Sequence, residues 1–245
     1  MAPLQLEAVQ KHYPQSQFHL GPLEFSLEAG ASLALFGKNG AGKSTLFQMI
    51  TGHLRPDGGR IRMFGELMEK GSFALKRRIG YLPQHSDLPR WVSAYDLITY
   101  ALKLYGLDPL AKRRTETLAY WDCESFAHKP LAACSYGMQK RIGLAVATLH
   151  DPELLILDEP FSGLDLFHIR ALEDLIEQRR GRSLTVVSTH VAAYAAKLND
   201  RAAAMHDGRL VELTSWPTAD FMTRIQLMED QFFPANSSSR EGSRT

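Results

Sequence analysis

Residues 37–44 read Gly-Lys-Asn-Gly-Ala-Gly-Lys-Ser (GKNGAGKS). They follow a short apolar run, Ala31 to Phe36, and lead into a helical pattern from Lys43 to about Gly52. The octet matches G-x-x-x-x-G-K-[ST], in the strand–turn–helix setting that a phosphate-binding loop requires. Gly37, Gly40 and Gly42 let backbone N–H groups turn inward around phosphate oxygens. Lys43 is placed to reach β- and γ-phosphates, and the Ser44 hydroxyl suits a Mg²⁺ ion. The helix that begins there adds its positive N-terminal dipole. The expected cradle is Gly37, Asn39, Gly40, Ala41, Gly42, Lys43, Ser44 and Thr45. A plain glycine turn would explain the glycines but not the lysine and serine beside them.

Further along, Leu154 to Pro160 reads LLILDEP. Four apolar residues in a row mark a strand buried on both faces of a parallel sheet. Two carboxylates follow at its C-terminal end, the edge at which open α/β sheets bind ligands. Asp158 is suited to hold Mg²⁺, through water, and Glu159 to polarise an attacking water. An isolated Asp-Glu pair is usually only a solvated loop end. Beside a phosphate loop it defines a phosphate-loop NTPase, with ATP and Mg²⁺ as expected ligands.

The flanking sequence supplies the rest of an α/β fold. Leu4 to Val9 and Phe18 to Leu27 read as strands, and Arg60 to Phe64 as another after the turn residues Arg55 to Gly59. Ile79 to Leu82 is a short strand stopped by Pro83. From about Asp87 to Ala133 strands give way to helical spacing, as in AYDLITYALKLYG, and Met138 to His150 continues as helix up to Asp151-Pro152. A helix from Asp165 to Arg180, a strand from Leu184 to Ser188 and a helix from Val191 to Leu198 follow. Strands at Ala202 to His206 and Arg209 to Leu213 are joined by Asp207-Gly208, a tight hairpin signal. Phe221, Ile225, Met228 and Phe232 share one face of a last helix, expected to pack on the domain. Pro234 to Thr245 is rich in Ser, Arg and Gly and reads as a disordered tail.

The order of the remaining motifs narrows the class. Ser162-Gly163-Leu164-Asp165 follows the carboxylates, His190 ends the strand LTVVSTH, Gln84 ends IGYLPQ, and CSYGMQKR runs from Cys134 to Arg141 just before a helix. In this order and spacing the chain closely resembles the ATP-binding subunits of ABC transporters, from about Leu4 to Leu213. The resemblance implies a RecA-like core, an antiparallel β-lobe and an inserted helical subdomain, about 87–145, within one domain spanning 1–232; residues 233–245 form the tail. It implies that Gln84 touches Mg²⁺ and senses a membrane partner, and that Ser135 and Gly137 bind the γ-phosphate held by a second copy. Asp165 would lie at the dimer interface, His190 would hold the γ-phosphate and position water, and Tyr13 would stack on adenine. The site so implied has Glu159, His190 and Gln84 as catalytic residues, with Ser44, Gln84 and Asp158 at the metal.

The signature departs from the family's LSGGQ: Cys134 stands for Leu, Tyr136 for Gly and Met138 for Gln. The Ser-x-Gly-Met form resembles that of ABC-2-type subunits, which mostly serve exporters. Lys38 replaces the usual proline of the phosphate loop. Two such chains facing each other across a two-fold axis would complete each other's sites. The partners implied are therefore a second ATP-binding subunit, in a homodimer or a mixed pair, and an integral membrane permease, with the chain peripheral on the cytoplasmic face of the membrane.

Composition limits the alternatives. The chain has 245 residues, 44% hydrophobic and 22% charged, with a formal net charge of +1, so bulk charge gives no reason to expect a nucleic-acid partner. Two cysteines, Cys123 and Cys134, are too few for a disulfide framework. The N-terminus lacks a basic segment followed by an apolar one, and no run approaches the ~18 apolar residues that span a bilayer. Bland readings stand beside the sharp ones: Tyr13 packed on the first strands, Cys134 as a small apolar residue, Arg77-Arg78 and Lys112-Arg113-Arg114 as solvated faces. A soluble ABC-type ATPase acting on a macromolecule is the alternative function. Its ribosome- and DNA-acting forms carry tandem domains or a long coiled coil, and neither is present.

Overall fold

The computed structural model describes residues 2–15, 18–69, 71–85, 88–108 and 112–232. The central sheet has six strands in the order β10-β9-β3-β8-β7-β6. These are β3 (Ser32–Phe36), β6 (Ile79–Leu82), β7 (Leu154–Asp158), β8 (Leu184–Thr189), β9 (Arg201–His206) and β10 (Arg209–Glu212). All neighbours run parallel except the hairpin of β9 and β10. Every residue of β3, β7 and β8 is buried, which is why β7 shows an apolar run instead of alternation; β8 buries Thr185, Ser188 and Thr189 as well. Asp207 and Gly208, at φ 45° and 74°, make the turn that the Asp-Gly pair predicts.

A second sheet, ordered β2-β1-β4-β5, is antiparallel throughout. It comprises β1 (Leu4–Tyr13), β2 (Phe18–Leu27), β4 (Gly58–Met63) and β5 (Glu66–Leu67). β1 runs four residues past the point where its alternation stops. Ala8 has φ 50° and the pairing register shifts on both sides of Val9, so a bulge breaks the period-2 pattern while pairing continues. Between the sheets lies α1 (Lys43–Ile50). Leu4, Leu6, Leu20, Leu23 and Leu27 of the antiparallel lobe share one core with Leu46, Phe47 and Ile50 of α1 and with Leu33, Ile156 and Val186 of the central sheet.

The other face of the central sheet meets the helices. Between β6 and β7 come α3 (Ala94–Leu104), α4 (Lys112–Tyr120) and α5 (Tyr136–Thr148); a single-turn α2 (Phe73–Lys76) precedes β6. Ile98, Leu102, Trp121, Phe126, Ile142 and Leu144 pack there with Leu155 and Leu157 of β7. The helices after β7 are α6 (Leu166–Arg179), α7 (Ala192–Leu198) and α8 (Phe221–Phe232). On α8, Met228 is fully buried and Ile225 packs near Trp216, whereas Phe221, on the face expected to pack, is 47% exposed. Contact with the domain starts one turn later, where Arg224 Nη1 donates to the carbonyl of Ala196 at 3.0 Å. The tail assigned to 233–245 lies outside the described residues.

One joint of the scaffold carries a titratable group. His150, at the end of α5, stacks on Tyr105 at 3.6 Å and 9° and its Nε2–H donates to the Ile79 carbonyl at 3.1 Å. Its Nδ1 is buried without a hydrogen-bond partner, and burial pushes its pKa down to about 4. Between that value and the ordinary 6.5 the unfolded chain binds a proton that the folded chain refuses. Stability is therefore expected to fall as pH drops from 6.5 towards 4. His150→Phe keeps the stack and cannot take up the proton, so its denaturation midpoint should fall less between pH 7 and pH 4.5; equal losses would show that another group controls the acid limb.

Candidate active site

The site is built on the C-terminal edge of the parallel strands. β3 lies between β9 and β8, with β7 next to β8 and β6 beyond, so the segments after β3, β7, β8 and β6 all emerge at one edge. They deliver Gly37–Ser44, Asp158-Glu159, His190 and Gln84 in turn. The phosphate loop lines a cavity of about 610 Å³ from Lys38 to Thr45, together with Tyr13, Phe18, Gln48 and Gln84. Gly42 shows why the loop needs glycine: φ is +107°, and a Cβ would sit 2.8 Å from the Leu20 side chain.

Lys43 is 6% exposed. Its Nζ donates to the carbonyls of Gly37 at 2.5 Å and Lys38 at 3.2 Å, and lies 3.7 Å from Glu159 Oε1. Burial lowers its pKa, against the pull of Glu159 and Asp158. Ser44 Oγ donates to Asp158 Oδ2 at 2.6 Å. Two of the three groups expected at the metal are thus adjacent, and both offer hard oxygen donors.

Glu159 has φ 47°, a left-handed conformation that is uncommon for a side chain of this kind, and it is only 5% exposed. Its Oε2 accepts from His190 Nδ1 at 2.9 Å, while Oε1 is buried with no hydrogen-bond partner. A buried carboxylate oxygen left in this way marks a place where a donor belongs. His190 itself is 62% exposed at its side chain, so the pair spans from the interior to the surface.

Two residues at this edge escaped the sequence reading. Ser188 is fully buried; its Oγ donates to Asp158 Oδ1 at 2.5 Å and accepts from the Glu159 N–H at 2.9 Å. It thereby holds the Asp158 carboxylate and the backbone at Glu159. Lys140 of α5 places Nζ 3.4 Å from the Asp158 carbonyl, and burial pushes its pKa down to about 8. Phe18 is a third addition, its ring 6.2 Å from that of Tyr13 at the cavity. A serine two residues before His190 was the only available hint for Ser188.

Asp158, Glu159 and His190 do not line the cavity but join the cradle through Ser44 and Lys43, with His190 on Glu159. Ser135, Gly137 and Asp165 do not line it either. Ser135 caps α5: its side chain accepts from the Met138 N–H at 3.3 Å, and its own N–H donates to the Met138 sulfur at 3.4 Å. Methionine thus fills the capping-box position that Gln usually takes, and the helix starts at Tyr136, two residues before the apolar pattern suggests. Asp165 caps α6 by accepting from the His168 N–H at 3.0 Å.

A phosphate cradle at the edge of a parallel sheet, with a paired carboxylate and a histidine beside it, defines a phosphate-loop ATPase. Residues 20–162 match the profile of the family described as "ABC transporter". The chain is 34% identical over 212 residues to a Bacillus subtilis protein named as an uncharacterised ABC transporter ATP-binding protein, YxlF, covering 84% of this chain and 69% of that one. It is 33% identical over 213 residues to the linearmycin resistance ATP-binding protein LnrL of the same organism, covering 86% and 68%. A solved structure titled as the ATP binding subunit of an ABC transporter superposes with a TM-score of 0.79 at 26% identity, over 91% of this chain and 98% of that one. The chain belongs to the ABC transporter family, as an ATP-binding, ATP-hydrolysing subunit.

Proposed function

We propose that the chain works as one half of a two-chain sandwich that closes around ATP and Mg²⁺ and opens on hydrolysis, driving export through a membrane-spanning partner. The observation that carries this reading is the separation of the two phosphate-recognising elements. The cradle faces one cavity, while Ser135 and Gly137, at the exposed start of α5, contribute nothing to it. A second copy related by a two-fold axis would bring each Ser135 to the other's cradle. The α5 dipole, capped by Ser135, would then point at the γ-phosphate.

Within one site the roles divide as follows. Lys43 leaves the carbonyls of Gly37 and Lys38 and turns to the β- and γ-phosphates. Ser44 and Asp158, with Gln84, would hold the Mg²⁺. When bound, that ion neutralises charge on the phosphate oxygens. Glu159 Oε1 takes the proton of the attacking water, and the His190 Nδ1–H holds Oε2 so that the carboxylate cannot rotate away. His190 Nε2 can donate to the γ-phosphate only when both ring nitrogens carry protons, since Nδ1–H is already given to Glu159. Tyr13, with Phe18 behind it, stacks on adenine.

The coupling to a membrane protein is supported by the exposed apolar side chains of the segment 73–104, which contains Gln84. Phe73, Trp91, Tyr100 and Leu104 are 73%, 82%, 59% and 52% exposed, and they flank Gln84 in the chain. Such apolar side chains suit an interface. Among the described residues no helix is long and apolar enough to cross a membrane; in this reading the chain sits peripherally at the cytoplasmic face and a separate permease spans the bilayer. The export direction rests on the Ser-x-Gly-Met signature and on the likeness to a resistance protein.

The experiment mixes two lesions. Ser135→Arg and Lys43→Ala chains should each be inactive alone. A mixed dimer carries both lesions in one composite site and none in the other. Recovered ATPase activity is expected, or one trapped ATP per dimer if the two sites fire only together. Absence of both would remove the sandwich and the mechanism built on it.

A further inference from the structure

Within one chain the signature segment and the segment after Glu159 are held together at two points, and neither point touches the nucleotide cavity. The first is backbone against ring. Gly163 has φ +78°, and a Cβ there would lie 2.4 Å from Cε1 of Tyr136. From the other side, a Cβ on Gly137 would lie 2.8 Å from the Gly163 carbonyl oxygen. Tyr136 is 49% exposed, and its ring lies against Gly163 and leaves no room for a side chain there.

The second point is polar. Arg141, on the same helix, donates from Nη1 to the Asp122 carbonyl and carboxylate, each at 2.7 Å, and to His168 Nε2 at 2.9 Å. His168 Nδ1 in turn lies 2.7 Å from Asp165 Oδ1. A guanidinium has no acceptor, so Nε2 must carry the lone pair and Nδ1 the proton. The imidazole is 5% exposed with both nitrogens engaged. The His168 backbone and ring N–H groups hold the Asp165 carboxyl below the usual carboxylate range. Arg141, His168 and Asp165 thus form a relay with one proton arrangement.

We propose that Tyr136 and His168 are positioning residues that fasten the Ser162–Asp165 segment to the start of α5, so that Ser135, Gly137 and Asp165 meet an opposing chain as one preassembled surface. The proposal rests on the two-chain reading above. Its physical advantage is preorganisation: a loop already ordered in the free chain loses less entropy when two chains close. Tyr136 stands where the family's signature has glycine, and Gly163 is the residue that makes room for it.

Two measurements on the full-length chain test this, one free of any dimer. In hydrogen–deuterium exchange without nucleotide, Tyr136→Gly and Arg141→Met should each speed exchange of a peptide covering 162–168 by roughly fivefold or more, with α1 unchanged. Unchanged exchange in both variants would overturn the clamp. The second measurement uses Glu159→Gln chains with ATP in sedimentation. His168→Phe should weaken the dimer about tenfold, and adding Arg141→Met should weaken it no further, since both break one relay. Dimers as tight as the parent's, or losses that simply multiply, would overturn the positioning role. Arg141→Met alone serves if His168→Phe fails to fold. If the parent Glu159→Gln chain forms no dimer with ATP, the two-chain reading and the assembly role resting on it both fall, while the exchange result still decides the clamp itself.

Discussion

Glu159→Gln is expected to bind ATP about as tightly as the parent chain and to hydrolyse it about 10²–10⁴-fold more slowly, the usual contribution of a positioned general base. The amide is isosteric, and its oxygen can still accept from His190 Nδ1 in place of Oε2. What it loses is the basic oxygen, the Oε1 that is buried without a hydrogen-bond partner. Nucleotide affinity should survive because Glu159 is not among the residues that line the cavity. Single-turnover hydrolysis and equilibrium nucleotide binding separate the two effects. Turnover at the parent rate would take the base role away from Glu159.

Lys43→Ala should act on binding itself, lowering ATP affinity roughly 10–100-fold and turnover with it, because charge-assisted hydrogen bonds to phosphate are lost. In the resting arrangement Lys43 Nζ is 3.7 Å from Glu159 Oε1, with both side chains nearly buried. Calorimetry with ATP checks the loss of affinity. Unchanged affinity would speak against the phosphate-loop assignment.

How far the sequence discloses this molecule depends on how local each feature is. GKNGAGKS and LLILDEP are legible because turn, strand and chemistry lie in one short stretch. Ser188 is not, because its role depends on pairing: Asp158 and Ser188 are register partners across β7 and β8, and nothing within either strand announces that match. The same holds for His168, whose ring bonds Asp165 locally but draws its second partner from α5. Boundaries failed where geometry broke the period. The bulge at Ala8 concealed the second half of β1, and the capping box at Ser135 and Met138 started α5 ahead of its apolar face. β5 and α2, at two and four residues, are too short to show any period at all.

The backbone at Glu159 has a consequence for how this position can change. A left-handed φ of 47° costs a side chain of this kind energy that glycine or asparagine would largely avoid. Mutational libraries sorted on thermal tolerance alone would therefore drift away from glutamate here, and libraries sorted on turnover would return to it. The residue marks a point where fitness for folding and fitness for work are opposed, and its retention in a population would indicate that hydrolysis is under selection.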